Sequence, residues 1–267
     1  MHMKRLLMLC ILASVFCIAV QAQAVGLVSL KHVEPGMFSL YYEGDEFYLS
    51  TQPAYKDVRT ASINQEIADI LYLDQTYPLF RNEHLNNVVA AYIGKKFQDL
   101  LRIRNEDYAE KAKNDDFRDW HIRGRYLLFD SGVDCQTIVF TTYYLTGAMH
   151  GNQHFTVFNI SKKNGKQLGL KDMFGSPKKA LQLMSTYAKK QLAGEFNQDE
   201  TVQELMERGI APQEKNYSKV FPVQDGLVVI FGEYQLGSFA SGIQYVKIPL
   251  SELKAAAPKS SVWKQPK

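Results

Sequence analysis

Residues 120–145 read WHIRGRYLLFDSGVDCQTIVFTTYYL, and this stretch marks a change in the character of the chain. Aromatic and β-branched residues are concentrated in 120–129 and again in 137–145. Such side chains fit the pleated, half-buried surface of a sheet. The stretch therefore predicts two strands and a β-rich region that begins at residue 120.

Downstream of this stretch, the same kind of signal alternates with helix signals. Asn164-Gly165 predicts a hairpin turn, because both positions tolerate positive φ. Ser176-Pro177 predicts the start of a helix with an N-cap and a first-turn proline. A shorter helix is expected from Asp199 to Gly209. Further strands are predicted at 154–160, 219–223, 227–231 and 244–249, and the apolar stripe of the first helix is Leu181, Met184, Tyr187, Ala188 and Leu192.

Upstream, residues 36–50 alternate polar and aromatic side chains and predict a β-hairpin. Ser62 is expected to open a helical stretch with Ile63, Ile67, Ile70 and Leu71 on one face. The clearest helix is predicted to begin at Asn82 or Glu83, and residues 104–119 are either its frayed end or a linker. Its apolar stripe is Leu85, Val88, Val89, Tyr92, Ile93, Phe97, Leu100 and Leu101, and its expected polar face is Lys95, Lys96, Asp99 and Arg102.

The order of these elements decides the fold class. Strands and helices alternate irregularly and are joined by hairpin turns, which is typical of an α+β fold with mostly antiparallel sheets and packed helices. We expect two lobes. The predicted divisions are a signal peptide at 1–24, an N-terminal α+β lobe at 25–119, a second α+β domain at 120–254 and a disordered tail at 255–267, with a boundary near 140 as the alternative.

Composition excludes several classes of protein. The chain has 267 residues, of which 46% are hydrophobic and 22% charged, so it is not collagen-like, disulfide-dense or wholly disordered. Its 31 basic and 28 acidic residues give a net charge of +3, which is too small an excess to indicate nucleic-acid binding.

The N-terminus has the three parts of a secretory signal peptide: the basic Lys4 and Arg5, an apolar run from Leu6 to Val20, and the A-x-A site 22–24. It predicts export to the periplasm, the cell surface or the medium. An uncleaved membrane anchor is one alternative, and a lipoprotein modified at Cys10 or Cys17 is another, although Phe16 is bulky for a lipobox. Cleavage would leave Cys135 as the single cysteine, so we expect no internal disulfide.

His150 and His154 are the first candidates for chemistry. Their spacing of four residues suits a helical metal site, but Gly147 and Gly151 flank His150, and strand-like sequence follows. On a strand they would lie roughly 13 Å apart. A turn at Gly151 could bring them together, so a metal-assisted hydrolase remains the alternative interpretation. Cys135 is more typical of a small buried hydrophobe than of a nucleophile. We assign no catalytic residue, no metal ligand and no cofactor.

Three segments together resemble a known family. They are Tyr143–Gly151, the segment Asn159–Ser161 with Asn164–Phe174, and Asp225–Phe231 followed by Tyr234, Gly242 and Val246–Leu250. The pattern is similar to the RsiV-like domain of unknown function, which occurs in a lysozyme-sensing anti-sigma factor and in PdaC-type peptidoglycan deacetylases. The resemblance covers about 140–253, and the preceding segment is similar to the domain's usual N-terminal partner. Thr146–His150 departs from the family's double glycine before Ala-His-Gly.

The resemblance implies an extracytoplasmic α+β module whose relatives engage cell-wall material or a wall-degrading enzyme. Since we identify no deacetylase domain and no cytoplasmic anti-sigma segment in this sequence, neither activity is carried over. We expect an exported, non-catalytic binding module for peptidoglycan or a lysozyme-like protein. It would contact the membrane only through an uncleaved leader. The expected binding residues are Gly147, His150, Gly151, His154, Tyr234 and Gly242.

Overall fold

The computed structural model describes residues 41–43, 46–48, 58–67, 71–111, 120–146, 150–194 and 200–264. The predicted leader lies outside the described residues. No helix within these ranges combines the length and the apolar character that a membrane crossing needs. The strands are β1 (Tyr41–Glu43), β2 (Glu46–Tyr48), β3 (Arg59–Ile67), β4 (Leu71–Leu79), β5 (Trp120–Asp130), β6 (Cys135–Thr146), β7 (Asn152–Ser161), β8 (Val220–Val223), β9 (Gly226–Phe231) and β10 (Gln244–Pro249).

The α-helices are α1 (Glu83–Lys111), α2 (Leu170–Met173), α3 (Pro177–Leu192) and α4 (Glu200–Ile210). Short 3₁₀ helices lie at Glu214–Tyr217, Phe239–Ser241 and Leu250–Ala256. The predicted strands between 120 and 160, the helix at 177 and the last three strands are therefore confirmed. The predicted turn is also confirmed, since Gly165 has a φ of 71°.

The central sheet has five strands in the order β3-β4-β5-β6-β7. Every neighbouring pair is antiparallel except β4 with β5, which run parallel. A parallel pair needs a crossover connection, and the 29-residue α1 lies within it. The predicted α+β fold with mostly antiparallel sheets is confirmed. Because β4 and β5 lie on either side of the expected boundary at 119/120, the two expected lobes share this sheet.

Helix α1 covers one face of the central sheet. Its buried residues recur at three- and four-residue spacing, as the amphipathic pattern predicted. Residues 104–111 continue this helix, and residues 112–119 lie outside the described ranges. The core beneath α1 is formed by Leu85, Val89, Ile93 and Leu100 of the helix with Leu73, Trp120, Ile122, Leu128, Ile138, Phe140 and Ile160 of the sheet.

The opposite face packs against a second sheet, which is antiparallel and has the order β10-β9-β8. Alternate residues of β5, β6 and β7 point to this side, as the two-residue period of a strand requires. Helices α3 and α4 cover the far side of the second sheet. The layer between the sheets is formed by Leu127, Phe129, Val139 and Phe155 with Phe221, Val228 and Ile230.

The prediction of a disordered tail is wrong for residues 255–264. Val262 is 1% exposed and Trp263 is fully buried. The Trp263 indole Nε1 donates to the carbonyl oxygens of Val223 and Gly226, at 3.0 and 3.1 Å. A single large aromatic side chain thus anchors a segment whose low overall hydrophobicity indicated disorder. Residues 265–267 lie outside the described ranges.

The helix predicted from Ser62 is also wrong, because residues 59–79 form the hairpin of β3 and β4. Ile63 and Ile67 are four residues apart, and an even separation places two residues on the same side of a strand as well as on one helical face. Ile63 packs under α1, whereas Ser62 and Asn64 are exposed. The predicted 36–50 hairpin is seen in the pairing of β1 with β2, and its remaining residues lie outside the described ranges.

Candidate functional site

Two rings of the loop between β9 and β10 meet a third ring that lies just before the start of β7. We call His150, Tyr234 and Phe239 the aromatic surface. The His150 and Phe239 rings stack with centroids 4.1 Å apart, and the Tyr234 ring lies 5.9 Å from that of Phe239. Tyr234 is 55% exposed and Phe239 is 38% exposed, and they are the two large hydrophobic side chains most open to solvent among the described residues.

The backbone holds Tyr234 outward at a conformational cost. Its φ is 61°, a left-handed value that a bulky residue rarely adopts. The neighbouring Gln235 fixes the turn, because its backbone N–H donates to the Gly232 carbonyl at 3.1 Å and its side-chain Nε2 donates to the Asn216 and Gly209 carbonyls. Such strain costs about 1–3 kcal/mol and persists where the surroundings enforce it, often at functional sites.

The other end of the loop is shaped by Gly242. Its φ of 62° closes the 3₁₀ turn that carries Phe239, and its N–H donates to the Phe239 carbonyl at 3.0 Å. A Cβ atom at this glycine would meet no atom within 4 Å. Gly242 therefore supplies a backbone conformation rather than a tight contact.

Polar groups lie directly behind the aromatic surface. Glu233 precedes Tyr234, and its Oε2 accepts a 3.0 Å hydrogen bond from the backbone N–H of Gln153 on β7. Burial lowers the pKa of Lys219, whose Nζ would lie 2.9 Å from a Cβ atom at Gly232. Burial raises the pKa of Tyr245 well above its ordinary value, and the charge of Glu233 adds to this rise.

Two polar atoms in this region lack a partner. The Gln153 side-chain Oε1 and the Tyr245 hydroxyl are shut off from solvent, and the part of the chain that the structure describes offers neither of them a hydrogen bond. Gln153 is only 4% exposed. An unpaired buried polar group costs about 1–3 kcal/mol, so these two atoms mark an incomplete polar site.

The remaining expected residues are placed differently. His154 is exposed and its ring meets the Tyr144 ring edge-on at 5.2 Å, on the α1 side of the sheet. Burial lowers the pKa of His154, and Glu233 partly offsets this effect. Gly151 is buried, and a Cβ atom there would overlap the Tyr143 ring, so this glycine serves packing. Gly147 lies outside the described residues.

The structure does not assemble the histidines into a metal centre within the described ranges. No group of three or more His, Cys, Asp or Glu side chains in those ranges has a geometry that could hold a metal ion. His150 stacks on the loop, whereas His154 contacts Tyr144. Cys135 is buried as predicted, and burial raises the pKa of its thiol to about 12, which disfavours the nucleophilic thiolate.

A second polar cluster lies under α1 and centres on Lys96. Its Nζ donates to Gln75 Oε1 at 3.1 Å and to the Thr142 hydroxyl. It also lies 5.6 Å from the ring centroids of both Tyr92 and Tyr144. Burial lowers the pKa of Lys96 to about 7. The expectation that Lys96 belongs to the polar face of the helix is therefore wrong.

A row of registered residues builds this cluster. Gln75, Gly124 and Thr142 lie opposite one another on β4, β5 and β6. A Cβ atom at Gly124 would overlap the Gln75 side chain, so the glycine lets that side chain lie across β5. Lys96 thus finds two acceptors that the sheet register puts side by side. We name this set, with Lys96, the Lys96 row.

Comparison with known proteins gives a family match for the C-terminal part of the chain. Residues 171–251 match the family described as "Protein of unknown function (DUF3298)". The chain carries a DUF3298 domain. This domain contains Glu233, Tyr234, Phe239 and Tyr245, whereas His150 and Gln153 precede it, so the site is built partly by the domain and partly by β7.

A curated relative confirms the resemblance to RsiV-like and PdaC-type proteins. Over 253 residues the chain is 24% identical to "Peptidoglycan-N-acetylmuramic acid deacetylase PdaC" of Bacillus subtilis (strain 168). The alignment covers 94% of this chain and 50% of the relative, so the chain spans half the length of that protein.

Solved structures match the fold. A crystal structure of a DUF3298 family protein from Pseudomonas aeruginosa PAO1 superposes with a TM-score of 0.57 at 15% identity, covering 78% of this chain and 97% of that chain. A DUF3298 member from Bacteroides fragilis NCTC 9343 gives a TM-score of 0.49 at 17% identity, covering 76% and 94%. The first match establishes a shared fold and nothing about ligands.

Part of this site is predicted by the sequence. The structure brings the predicted residues His150, Tyr234 and Gly242 to one place. Four further residues of the site are not predicted: Phe239, Glu233, Gln153 and Tyr245. Phe239 stands between two glycines and two serines in GSFASG, and that loop-like setting was a signal for an exposed ring. The other three residues lie in or beside strands of the DUF3298 domain and β7, where local sequence carries no sign that their polar atoms converge.

Proposed function

We propose that this protein is an exported, non-catalytic binding module of the bacterial cell envelope, and that its aromatic surface binds cell-wall glycan. One observation carries the proposal: Tyr234 and Phe239 of the β9–β10 loop meet His150, which precedes β7, and the three rings form one exposed aromatic cluster. Exposed apolar surface rimmed by polar groups is typical of binding sites. Aromatic rings offer flat apolar faces to a sugar ring, and the polar groups behind them can bond its hydroxyls.

Two further observations support the cell wall as the location of the ligand. The curated relative is by name a peptidoglycan deacetylase, and its similarity extends over nearly all of this chain. The leader at 1–24 has the features of a secretory signal peptide. Both point to the same compartment, although they rest on unrelated properties of the sequence.

Sedimentation with purified peptidoglycan sacculi at physiological salt tests the proposal. Phe239→Ala removes the ring that joins the other two, and we expect it to weaken retention about fivefold, since an aromatic contact contributes on the order of 1 kcal/mol. The matched control is Tyr72→Ala, which removes a ring stacked on His121 at 4.8 Å outside the aromatic surface. We expect this variant to be retained like the unaltered chain.

Three results would contradict the proposal. The first is no retention of the unaltered chain on sacculi. The second is binding to immobilised lysozyme but not to sacculi, which would make the partner a protein. The third is stoichiometric zinc that is lost in His150→Ala, which would favour the metal-assisted hydrolase.

Export has its own measurement. Expression of the full chain in a bacterial host followed by fractionation and N-terminal sequencing should give an extracytoplasmic protein that begins at Val25. Recovery of the uncut chain from the cytosol would overturn the location, independently of any binding result.

A further inference from the structure

The two unpartnered atoms near the aromatic surface are of complementary kinds. Gln153 Oε1 can only accept a hydrogen bond, and a protonated tyrosine hydroxyl can donate one. The Tyr245 hydroxyl keeps its proton at neutral pH, because tyrosine ordinarily has a pKa of about 10 and burial raises the pKa of Tyr245 further. Together they present one free acceptor and one free donor.

Phe155 and Glu233 connect the two residues at the layer between the sheets. The Tyr245 ring meets the Phe155 ring edge-on at 6.3 Å, and Phe155 is two residues from Gln153 on the same side of β7. Glu233 joins them, since it accepts from the Gln153 backbone N–H and its charge acts on Tyr245. Tyr234 of the aromatic surface follows Glu233 directly in the chain.

An amide group matches this free pair. Its N–H is a donor and its C=O is an acceptor, and the planar peptide-like unit holds them in opposite directions. A sugar that stacks on the aromatic surface would have to carry such a group as a substituent. An acetamido group on the sugar ring is the simplest substituent of that kind.

We propose that the Gln153 Oε1 and the Tyr245 hydroxyl recognise the acetamido group of an N-acetylated sugar whose ring stacks on the aromatic surface. The acetamido N–H would donate to Gln153 Oε1, and the Tyr245 hydroxyl would donate to the acetamido carbonyl. This inference rests on the proposed glycan binding and adds the chemical feature that selects the glycan.

Binding requires the loop between β9 and β10 to move, because neither atom touches solvent in the structure. The Glu233–Gln153 hydrogen bond holds the loop to β7, and the His150–Phe239 stacking holds it to the residues just before β7. Gly242 provides the place where the loop can bend, since it has a φ of 62° and open space around its Cα.

Calorimetric titration with two neutral tetrasaccharides tests the inference. Chitotetraose and cellotetraose share the β-1,4-linked ring and differ in the acetamido group, which is a hydroxyl in cellotetraose. We expect the unaltered chain to bind chitotetraose about tenfold more tightly, as one or two matched hydrogen bonds would give. Tyr245→Phe and Gln153→Met should each reduce that ratio toward one.

The outcomes separate the inference from the proposed function. Equal affinity of the unaltered chain for the two sugars would overturn acetamido recognition and leave glycan binding in place. Binding of neither sugar, together with no retention on sacculi, would overturn both. A selectivity ratio that is unchanged in Tyr245→Phe and in Gln153→Met, with melting temperatures near that of the unaltered chain, would assign the selectivity to other residues and overturn the inference.

Discussion

Two buried polar regions lie on opposite faces of the central sheet, and they differ in how well their atoms are partnered. The Lys96 row, on the α1 face, contains a charged group with two hydrogen-bond acceptors and two tyrosine rings around it. Gln153 and Tyr245, on the face toward the second sheet, are neutral, yet each leaves an atom unpartnered. The Lys96 ammonium has acceptors for its N–H groups, although burial still lowers its pKa, whereas the neutral pair has atoms with no partner.

This difference indicates a structural role for the Lys96 row and a binding role for Gln153 and Tyr245. A buried charge that is hydrogen-bonded on several sides fixes the packing of a helix on a sheet and needs no ligand. Neutral groups left unpaired beside an exposed surface lower stability without serving the fold, and a ligand can supply what they lack. The comparison predicts that mutations in the two regions shift stability in opposite directions.

The largest expected effect is on the pH dependence of stability. The pKa of Lys96 is about 7 in the folded chain, below the value of about 10.4 for an unfolded lysine. Between these values the unfolded chain binds more protons, so the free energy of unfolding rises with pH, by about 1.4 kcal/mol for each pH unit and on the order of 4 kcal/mol from pH 7 to 10.

Urea unfolding at a series of pH values gives the free energy of unfolding of the unaltered chain and of Lys96→Met. The substitution should remove the rise of this free energy between pH 7 and 10. Lys95→Met is the matched control, because Lys95 is exposed and pairs with Asp99 at 2.6 Å. If Lys96→Met retained the full slope and Lys95→Met lost it, the Lys96 row would not contain the titrating group.

The next effect concerns the acceptors of Lys96. Gln75→Leu combined with Thr142→Val removes both of them and leaves the ammonium buried between two rings. An unsatisfied buried charge should lower the free energy of unfolding by about 3 kcal/mol at pH 6. Because the loss belongs to the charged form, it should shrink at pH 9 in the same urea experiment. A pH-independent loss would mean that the residues act through packing alone.

The predictability of these regions from sequence differs for a physical reason. Strands β5 to β7 were predictable, because each is ten to twelve residues long and rich in β-favouring side chains. The charge of Lys96 predicts a place on the polar face of the helix, yet Lys96 lies three residues after Ile93 and four before Leu100, which is core spacing on a helix. The helical spacing correctly places Lys96 on the buried side of α1, whereas its charge wrongly indicates the exposed side.

The candidate site was less predictable, because its parts meet only in the folded chain. The Tyr234–Gly242 segment could be marked as a loop from its glycines and exposed aromatics. No local pattern indicates that β7 passes behind it, or that Gln153 rather than His154 faces the second sheet. That assignment depends on which face of the strand α1 covers, a property of the tertiary structure. The burial of Trp263 is likewise not predicted, because it depends on contacts with Val223 and Gly226, which are distant in the sequence.

A smaller effect with the opposite sign is expected in the second region. Tyr245→Phe removes a hydroxyl that has no partner and keeps the ring that packs on Phe155. Removing an unsatisfied buried group should raise the free energy of unfolding by about 1 kcal/mol. Thermal unfolding checks this, with Tyr217→Phe as the control, because the Tyr217 hydroxyl donates to the Ile210 carbonyl at 2.6 Å and its loss should destabilise. If both variants changed the free energy of unfolding in the same direction, the Tyr245 hydroxyl would not differ from a partnered hydroxyl, and the contrast between the two polar regions would be contradicted.

The smallest effect lies at Tyr234, where stability and binding should separate. Tyr234→Gly relieves the left-handed strain but gains chain entropy in the unfolded state, so the net stabilisation should be a few tenths of a kcal/mol up to about 1 kcal/mol. Retention on sacculi should fall, because the most exposed ring of the aromatic surface is lost. Tyr234→Asn, which tolerates the same φ, should also lose retention. If Tyr234→Gly were more stable and still fully retained on sacculi, the strained backbone at Tyr234 would not serve glycan binding. The glycan-binding residues of the aromatic surface would then be His150 and Phe239 alone.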